Sequence, residues 1–427
     1  MALWLAVAVF AGAYVLIATE RIHRVAAALG GAGIVVAAGI LDAHALFYDE
    51  ATAIDWNVIF LLFGMMVIVG VLRHTGVFEY VAIWAAKRAR GDPYLVMVLL
   101  VVMTATTSAF LNNVTVVLLV APVTLLVCER IGVNPVPYLI AEALASNIGG
   151  TATLIGDPPN LIVGSRSGLT FNDFVIHLAP IIVVLLVVFV VMCRVLFRST
   201  FVADPGKVSD VMTLIEREAI QDSRLLARSL VVLAAVLVGF VLPPAVIEPS
   251  LVALLGAGVL VLLSGLGPDE YLVDIEWETL LFFVGLFVLV GALVEVGAID
   301  KLADGLADAV GDDVVLATMT LLFASAILSA FVDNIPYVAT MAPVVAQLTA
   351  PHGPLTGQTV LWWALLLGAD LGGNATAVGA SANVVILGIA KRDGYPISFW
   401  EFTKYGAVVA LVTVLLCAPY LYLRYLL

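Results

Sequence analysis

Charged residues are scarce in this chain, and their scarcity excludes most kinds of protein. Only 12% of its 427 residues are charged, whereas 63% are hydrophobic, and the mean hydropathy is +1.14. A water-soluble domain of this size could not cover its surface with so little charge. Apolar runs of about 20 residues recur along the whole length, as in helices that cross a bilayer. The composition therefore predicts an all-α polytopic protein surrounded by lipid.

Cysteine and histidine are also rare, which argues against metal and redox chemistry. The three cysteines, Cys128, Cys193 and Cys417, lie far apart and have neither metal-ligand nor redox spacing. The five histidines fall at or near the ends of predicted spans, and the chain contains no His-Glu-x-x-His pair. We therefore expect no enzyme activity, no metal centre and no cofactor. Nothing in the chain indicates that it binds nucleic acid.

What the chain does contain is a polar motif that occurs twice. Ser-Ala-Phe-Leu-Asn-Asn at 108–113 returns as Ser-Ala-Phe-Val-Asp-Asn at 329–334, and Ala-Pro follows each copy. A glycine-rich segment comes next in both halves, at 147–156 and 370–379. The halves align at an offset of 221 positions, which drifts to 223 at Gly149/Gly372 and to 228 further along. An internal duplication accounts for a register kept over so long a stretch.

Each half is predicted to cross the membrane five times. The expected spans are 2–18 (a retained span, not a signal peptide), 25–41, 56–72, 138–165 and 174–197, then 228–242, 250–266, 277–296, 359–390 and 401–425. Glycines interrupt 138–165 and 359–390. Re-entrant hairpins are expected at 94–128 and 314–348, and surface helices at 77–90 and 298–310. Because each half crosses the membrane an odd number of times, the second copy has the opposite orientation to the first. The predicted parts are a first repeat at 1–197, a cytoplasmic linker at 198–227 and a second repeat at 228–427.

The basic residues predict how the chain is oriented. With both termini outside, all of the 19 lysines and arginines face the cytoplasm except Arg166, Lys301 and Arg424. This bias is the one that cytoplasmic loops of membrane proteins show. The sequence therefore predicts a multi-pass protein of the inner or plasma membrane.

The candidate binding residues lie where the helices are interrupted. A helix broken at membrane depth frees N–H and C=O groups, and such groups are tolerated only inside protein or beside a wet cavity. Each Asn or Thr could simply satisfy that freed backbone, but the appearance of the whole set in both halves favours a binding site for an ion or another small solute. The set comprises Asn112, Asn113, Asn147, Gly149, Gly150, Thr151, Thr153, Asp157, Asn160, Asp333, Asn334, Asp370, Gly372, Gly373, Asn374, Thr376 and Asn383.

Three carboxylates, Asp157, Asp333 and Asp370, are expected in the same central region. A charged aspartate at the bilayer centre costs about 2.5–3.5 kcal/mol on insertion scales, so it usually has a function. Asp157 could instead cap the restarted helix, but Ala380 takes its place in the second half, so the architecture does not demand it. No lysine or arginine falls inside these motifs. That favours a cation, a proton or a neutral solute, although helix N-termini can also bind anions.

The segment Asn147–Asn160, with the sequence NIGGTATLIGDPPN, resembles the motif of the ion transporter superfamily. Its branches include arsenite permeases (ArsB), NhaD-type sodium/proton antiporters, the melanosomal P protein, citrate carriers and divalent-anion/sodium symporters. The Gly-Asp-Pro-Pro-Asn form is most similar to the P-protein and ArsB/NhaD branch. The resemblance implies a homodimer in which each protomer has a scaffold domain and a transport domain that moves as an elevator.

The hairpin tips depart from one branch of that superfamily. Divalent-anion symporters carry Ser-Asn-Thr at each tip, whereas this chain has Asn-Asn-Val at 112–114 and Asp-Asn-Ile at 333–335. The departure favours ion antiport over dicarboxylate transport. We therefore expect a secondary active transporter of the sodium/proton antiport type, with Na⁺ or H⁺ as the coupling ion. A sodium site is expected at Asn113, Asp157, Asn334 and Asp370.

Two other transport functions remain open from the sequence. One is sodium- or proton-coupled transport of citrate or another carboxylate, and the other is efflux of arsenite or antimonite. A channel is a competing class, but a permanently open pore does not require two opposed hairpin sites. The partners expected are therefore the lipid bilayer, a small ion and a second copy of the chain.

Overall fold

The computed structural model describes residues 1–19, 21–49, 52–201 and 216–427. Within these ranges all regular secondary structure is helical. The first half contains α1 (Ala2–Ala18), α2 (Arg24–Ala37), α3 (Ala43–Phe47), α4 (Trp56–Arg73), α5 (Val77–Arg88), α6 (Pro93–Ser108), α7 (Asn113–Ile131), α8 (Val136–Gly150), α9 (Pro158–Ser167), α10 (Phe171–His177) and α11 (Ala179–Leu196).

The second half follows the same order of long and short helices, except that its last helix is single where the first half has α10 and α11. It contains α12 (Ser223–Val241), α13 (Pro249–Ser264), α14 (Pro268–Tyr271), α15 (Trp277–Glu295), α16 (Ala298–Val310), α17 (Val314–Ser329), α18 (Asn334–Thr349), α19 (Val360–Gly372), α20 (Ser381–Arg392) and α21 (Phe399–Leu421). Short 3-10 turns lie at Arg198–Thr200, Glu216–Ala219 and Gly373–Ala375, and a π-helical turn follows α21.

Apolar helices of membrane-crossing length confirm the expected all-α class. By length and composition alone, six helices of the described chain are able to cross a bilayer, namely α4, α7, α11, α12, α15 and α21 together with its π turn. Five shorter apolar helices accompany them: α1, α2, α6, α13 and α17. The expected span at 174–197 is divided at Leu178 into α10 and α11. Pro180 accounts for the division, because proline lacks the N–H that would continue the preceding helix.

Six of these helices form one bundle, here called the first bundle: α1, α2, α4, α12, α13 and α15. Two equivalent glycines bring helix backbones of this bundle close together. A Cβ on Gly64 of α4 would lie 2.7 Å from the backbone of Ala253, and a Cβ on Gly285 of α15 would lie 2.7 Å from that of Ala28. Since Gly64 and Gly285 correspond in the duplication, corresponding helices of the two halves pack in the same way.

The second bundle contains both hairpins and both interrupted helices: α6–α7, α17–α18, α8/α9 and α19/α20, with α11 and α21 packed beside them. Each hairpin packs on the interrupted helix of its own half. The hairpins also cross over, because α18 packs on α9 and α7 packs on α20. The polar interruptions are therefore enclosed by protein from both halves.

The end of the expected linker contacts the helix α5. Helix α12 begins at Ser223, inside the range assigned to the linker, and the Asp204-Pro205-Gly206 turn lies outside the described residues. Lys87 Nζ lies 2.6 Å from Glu216 Oε2, and this hydrogen bond holds the pKa of Glu216 below its usual value. The linker thus returns along the surface helix α5.

Candidate functional site

The two hairpin tips sit directly against the two helix interruptions. The backbone N–H of Asn113 donates to Gly156 O at 3.2 Å, and that of Asn334 donates to Gly379 O at 3.1 Å. The equivalent residues of each half thus make the same contact. These two hydrogen bonds hold each hairpin tip against the point where the neighbouring helix is interrupted.

Two hydroxyls reinforce this contact from the other direction. Thr153 Oγ1 donates to Ala109 O, and Thr376 Oγ1 donates to Ala330 O at 2.5 Å. The acceptors are carbonyls at the hairpin tips, where the α-helical ladder has ended. Thr153 and Thr376, both predicted as site residues, therefore hold the hairpins to the interruptions.

Replacing Thr153 or Thr376 with valine is expected to lower stability by about 1 kcal/mol each, the range of hydrogen bonds between membrane helices. Valine keeps the shape and removes the hydroxyl. The measurement is the thermal melting midpoint in detergent. Thr413→Val is the matched control, because its buried hydroxyl bonds only to carbonyls within its own helix. Equal midpoints for T153V, T376V and T413V would contradict the expected role.

Asn160 and Asn383, which follow the two interruptions, donate to backbone carbonyls that the interrupted helices leave free. These two asparagines therefore satisfy the freed backbone. Their four bonds correspond pairwise between the halves: Asn160 Nδ2 donates to Gly150 O (3.1 Å) and Thr153 O (2.7 Å), and Asn383 Nδ2 donates to Gly373 O (2.9 Å) and Thr376 O (2.9 Å). The four predicted glycines, Gly149, Gly150, Gly372 and Gly373, supply close backbone approach and no ligand side chain.

Seven buried side chains meet between the interruptions and form what is here called the central cluster: Asn113, Asn147, Asp157, Asn334, Asp370, Asn374 and Asn383. Asn147 joins the halves, because its Nδ2 donates to Asn374 Oδ1 at 2.9 Å and to Asn383 Oδ1 at 3.0 Å. Its Oδ1 accepts from Asn113 at 3.2 Å. The cluster thus combines residues of both hairpins and both interrupted helices.

The two carboxylates of the central cluster share one amide. Asn334 Nδ2 lies 3.5 Å from Asp157 Oδ2 and 3.5 Å from Asp370 Oδ1, and Asn113 Nδ2 donates to Asp157 Oδ2 at 2.8 Å. The Thr151 hydroxyl lies beside Asp370. Asp157 and Asp370 are fully buried, and the second oxygen of each has no hydrogen-bond partner among the described residues.

Asp157 stands at the N-cap position of α9 without capping it. Its side chain makes no bond to the α9 backbone, whereas Asp92 and Asp313 both accept from the N–H groups of the helices that they begin. The carboxylate points instead to the amides of Asn113 and Asn334. Helix initiation therefore does not explain this residue.

The charge of the central cluster is uncompensated within the part of the chain that the structure describes. No lysine, arginine or histidine there pairs with Asp157 or Asp370. Leaving two adjacent carboxylates buried without a counter-charge costs several kcal/mol per ion. The described side chains also contain no group of three His, Cys, Asp or Glu suited to a metal ion. The central cluster therefore offers carboxylate and amide groups with no positive charge beside them in the described chain.

Two predicted site residues at the hairpin tips, Asn112 and Asp333, cap helices and do not hydrogen-bond to the central cluster. Asn112 caps α7 through Val114 N. Asp333 caps α18 through Ile335 N at 3.0 Å, and its other oxygen accepts from Ser381 Oγ at 2.6 Å. Of the three expected carboxylates, Asp157 and Asp370 therefore hydrogen-bond within the central cluster, and Asp333 lies near it with other partners. As the residue just before α18, Asp333 turns its side chain toward the start of that helix.

A basic residue that the sequence motifs do not contain reaches Asp333 from the first bundle. Arg24 Nη1 donates to Ser381 Oγ at 2.6 Å, and Arg24 and Asp333 both line a cavity of about 450 Å³, here called the Arg24 cavity. In the sequence, Arg24 indicates only how the chain is oriented. Arg24 is the first residue of the apolar helix α2. This position is the one feature of the sequence that indicates a contact of Arg24 with protein.

Comparison with known proteins identifies relatives along almost the whole chain. A family described as Citrate transporter (CitMHS) matches residues 14–368. The chain is 56% identical over 421 residues to "Uncharacterized transporter Rv2684" of Mycobacterium tuberculosis, covering 98% of both. It is 53% identical over 423 residues to the "46 kDa membrane protein" of Mycobacterium leprae, covering 99% of both.

More distant similarity extends to a human protein and to a solved structure. The P protein of Homo sapiens is 33% identical over 490 residues, covering 96% of this chain and 58% of that protein. The crystal structure of the Alcanivorax borkumensis YdaH transporter shares the fold with a TM-score of 0.58 at 16% identity, covering 85% of this chain and 84% of that one. The chain thus belongs to the CitMHS citrate transporter family and is a multi-pass transporter of the membrane.

Proposed function

We propose that this chain is a secondary active antiporter that exchanges protons for a monovalent cation of the sodium type at the central cluster. One observation carries the proposal. Asp157 and Asp370 are buried beside the shared amide of Asn334, each has one oxygen without a hydrogen-bond partner among the described residues, and no basic side chain there neutralises them.

Two alternative occupants suit the free oxygens of these carboxylates. A sodium ion binds to oxygen ligands, and a proton converts a carboxylate into a neutral group. Either occupant reduces the charge that the second bundle would carry through the membrane, whereas an empty cluster holds charge that is costly to move through apolar surroundings. Exchange is therefore favoured over uncoupled leakage. The cation and the proton bind in turn to the same pair of residues.

The two bundles suit an elevator mechanism. In this proposal the first bundle is the scaffold and the second bundle moves with the central cluster inside it. The equivalent contacts of Gly64 and Gly285, and of the two hairpin tips, support inverted repeats at 1–197 and 228–427 with re-entrant hairpins. A homodimer is proposed on the superfamily resemblance alone. The bias of basic residues supports insertion in the inner membrane with both termini outside and the Arg24 cavity open to the cytoplasm.

Carboxylate transport is the second candidate, and two observations favour it. The matching family is described as a citrate transporter, and the guanidinium of Arg24 lies in a cavity large enough for a small organic anion. Against it, the central cluster itself is acidic. A carboxylate substrate would have to bring cations or protons with it to approach Asp157 and Asp370.

Proteoliposomes that contain a pH-sensitive dye separate these functions. We expect Na⁺ or Li⁺ to drive proton movement in liposomes with an imposed pH gradient, and K⁺ to do so less. Uptake of labelled citrate and extrusion of arsenite are measured on the same preparation. Accumulation of citrate without cation-driven proton movement would reject antiport in favour of the second candidate, and arsenite extrusion alone would reject both.

A further inference from the structure

Several polar side chains bridge the first and second bundles, and those at the Arg24 cavity form a chain of three. Arg24 of α2 donates to Ser381 Oγ at 2.6 Å, and Ser381 Oγ lies 2.6 Å from Asp333 Oδ2. Arg24 belongs to the first bundle, and the other two residues belong to the second bundle. If the second bundle moves past the first, this bridge has to break.

The duplication shows which residues would meet at the equivalent place in the opposite-facing state. Under inverted repeats, that state places the second bundle against the first through the equivalent residues. The register of Ala28 with Ala253 makes Pro249 the equivalent of Arg24. Ser381 corresponds to Pro158, and Asp333 corresponds to Asn112. Two prolines and an amide cannot rebuild a bridge that contains an arginine and a carboxylate.

A second bridge has the same one-sided character. Thr115 Oγ1 of α7 donates to Glu276 Oε1, at the beginning of α15. Its equivalents are Pro336 and Asp55, and proline has no hydroxyl to donate. The other half therefore has a carboxylate, Asp55, at the position of Glu276, but it has no hydroxyl at the position of Thr115.

A third bridge joins α1 to α18. Tyr14 OH lies 2.8 Å from Thr340 Oγ1 and also bonds to Pro336 O. The helix equivalent to α1 is α12, and between Leu230 and Val241 that helix has no side chain with a hydroxyl. None of the three bridges thus has a counterpart for the opposite state.

We infer that Arg24, together with Ser381 and Asp333, forms a one-sided bridge that holds the resting protein in the state seen here and has to open in each transport cycle. The inference rests on the proposed elevator mechanism. A bond that is present in one of two states shifts the population toward that state by its differential strength. Asp333 is in this view a positioning residue and not a ligand of the transported ion.

Matched cysteine probes test the inference without measuring transport. Val384 lines the Arg24 cavity and is 39% exposed, and its equivalent Leu161 is 3% exposed in a cavity of about 270 Å³ on the other repeat's side. The three native cysteines are buried, so background labelling is low. When a hydrophilic maleimide is added to the protein in detergent, where it reaches both faces, we expect Val384→Cys to label much faster than Leu161→Cys in otherwise unchanged protein.

Variants that open the bridge are expected to raise the labelling rate of Leu161→Cys relative to that of Val384→Cys by at least about tenfold. The variants are Arg24→Gln, Asp333→Asn and the smaller change Ser381→Ala, which keeps the test usable if a charge change impairs folding. Combining R24Q with D333N is expected to add little, since both remove one bridge. Arg21→Gln, which lines the same cavity without bonding to Ser381 or Asp333, is the control.

An unchanged ratio in R24Q, D333N and S381A would overturn the inference, as would equal labelling of both probes before any bridge residue is changed. A failure of cation-driven proton movement would not affect this readout, because it measures accessibility alone. The proposed antiport and the proposed bridge therefore stand or fall on separate results.

Discussion

Replacing Asp157 or Asp370 with asparagine is expected to lower coupled transport at least about 100-fold while leaving the protein folded. Both carboxylates are fully buried and have no basic partner in the described part of the chain, so they supply the charge that a bound cation needs. Losing one member of a buried ionic interaction costs about 3–5 kcal/mol, and each 1.4 kcal/mol is a factor of ten in an equilibrium constant. The measurement is the initial rate of cation-driven proton movement in proteoliposomes.

Stability distinguishes a lost ligand from a damaged fold. Asparagine has the shape of aspartate and removes an uncompensated buried charge, so D157N and D370N are expected to melt no lower than the unchanged protein in cation-free buffer. Saturating Na⁺ is expected to raise the melting temperature of the unchanged protein only, because a ligand stabilises the fold that binds it. Asp313→Asn is the control, since asparagine caps a helix as well as aspartate does. Full transport in both D157N and D370N would reject the central cluster as the ion site.

The central cluster is built from a duplicated frame with an unequal distribution of charge. Asp157 corresponds to Ala380, and Asp370 corresponds to Asn147. Each half therefore contributes one carboxylate from a position that is uncharged in the other half. The shared frame sets the position of the tips, whereas the differences supply the two carboxylates.

The duplicated motifs made most of this frame predictable. Helices α6 and α7 meet at 109–112 and α17 and α18 meet at 330–333, inside the ranges expected for the hairpins, and α8 and α19 end at Gly150 and Gly372. Periodic apolar runs and paired glycines carry this information along the chain. Such patterns show where a helix ends, and they do so whatever the arrangement of the bundles.

The direction in which each side chain points was not predictable in the same way. Asp157 and Asp333 both precede a helix after a polar turn, yet only Asp333 caps its helix. The difference arises because Asn113, from a hairpin distant in sequence, offers Asp157 a better donor at 2.8 Å. Arg24 is more than 300 residues from Asp333, and only the fold brings both of them to Ser381 at the start of α20. Long-range contacts of this kind leave no local pattern.

Alanine in place of Gly149 or Gly372 is expected to lower stability strongly for the addition of a single methyl group. A Cβ on Gly149 would lie 2.1 Å from Ala105 O, and one on Gly372 would lie 2.4 Å from Ala326 O. Both obstacles are backbone atoms of the adjoining hairpin, which cannot rotate away as a side chain can. Overpacking of this kind costs about 1–3 kcal/mol and occasionally more. We expect G149A and G372A to melt several degrees lower and to accumulate poorly in the membrane.

Two other helical glycines provide the matched control. Gly33 of α2 and Gly258 of α13 have no atom within 4 Å of an added Cβ, so alanine there is expected to be neutral or stabilising by up to about 1 kcal/mol. The comparison separates steric conflict from helix propensity, since all four changes are the same substitution. If G149A and G372A melted like G33A and G258A, the hairpins would not be seated against the interrupted helices as described. Displacing either hairpin would also move Asn113 or Asn334 away from the carboxylates, so the same two variants are expected to lose cation-driven proton movement along with stability.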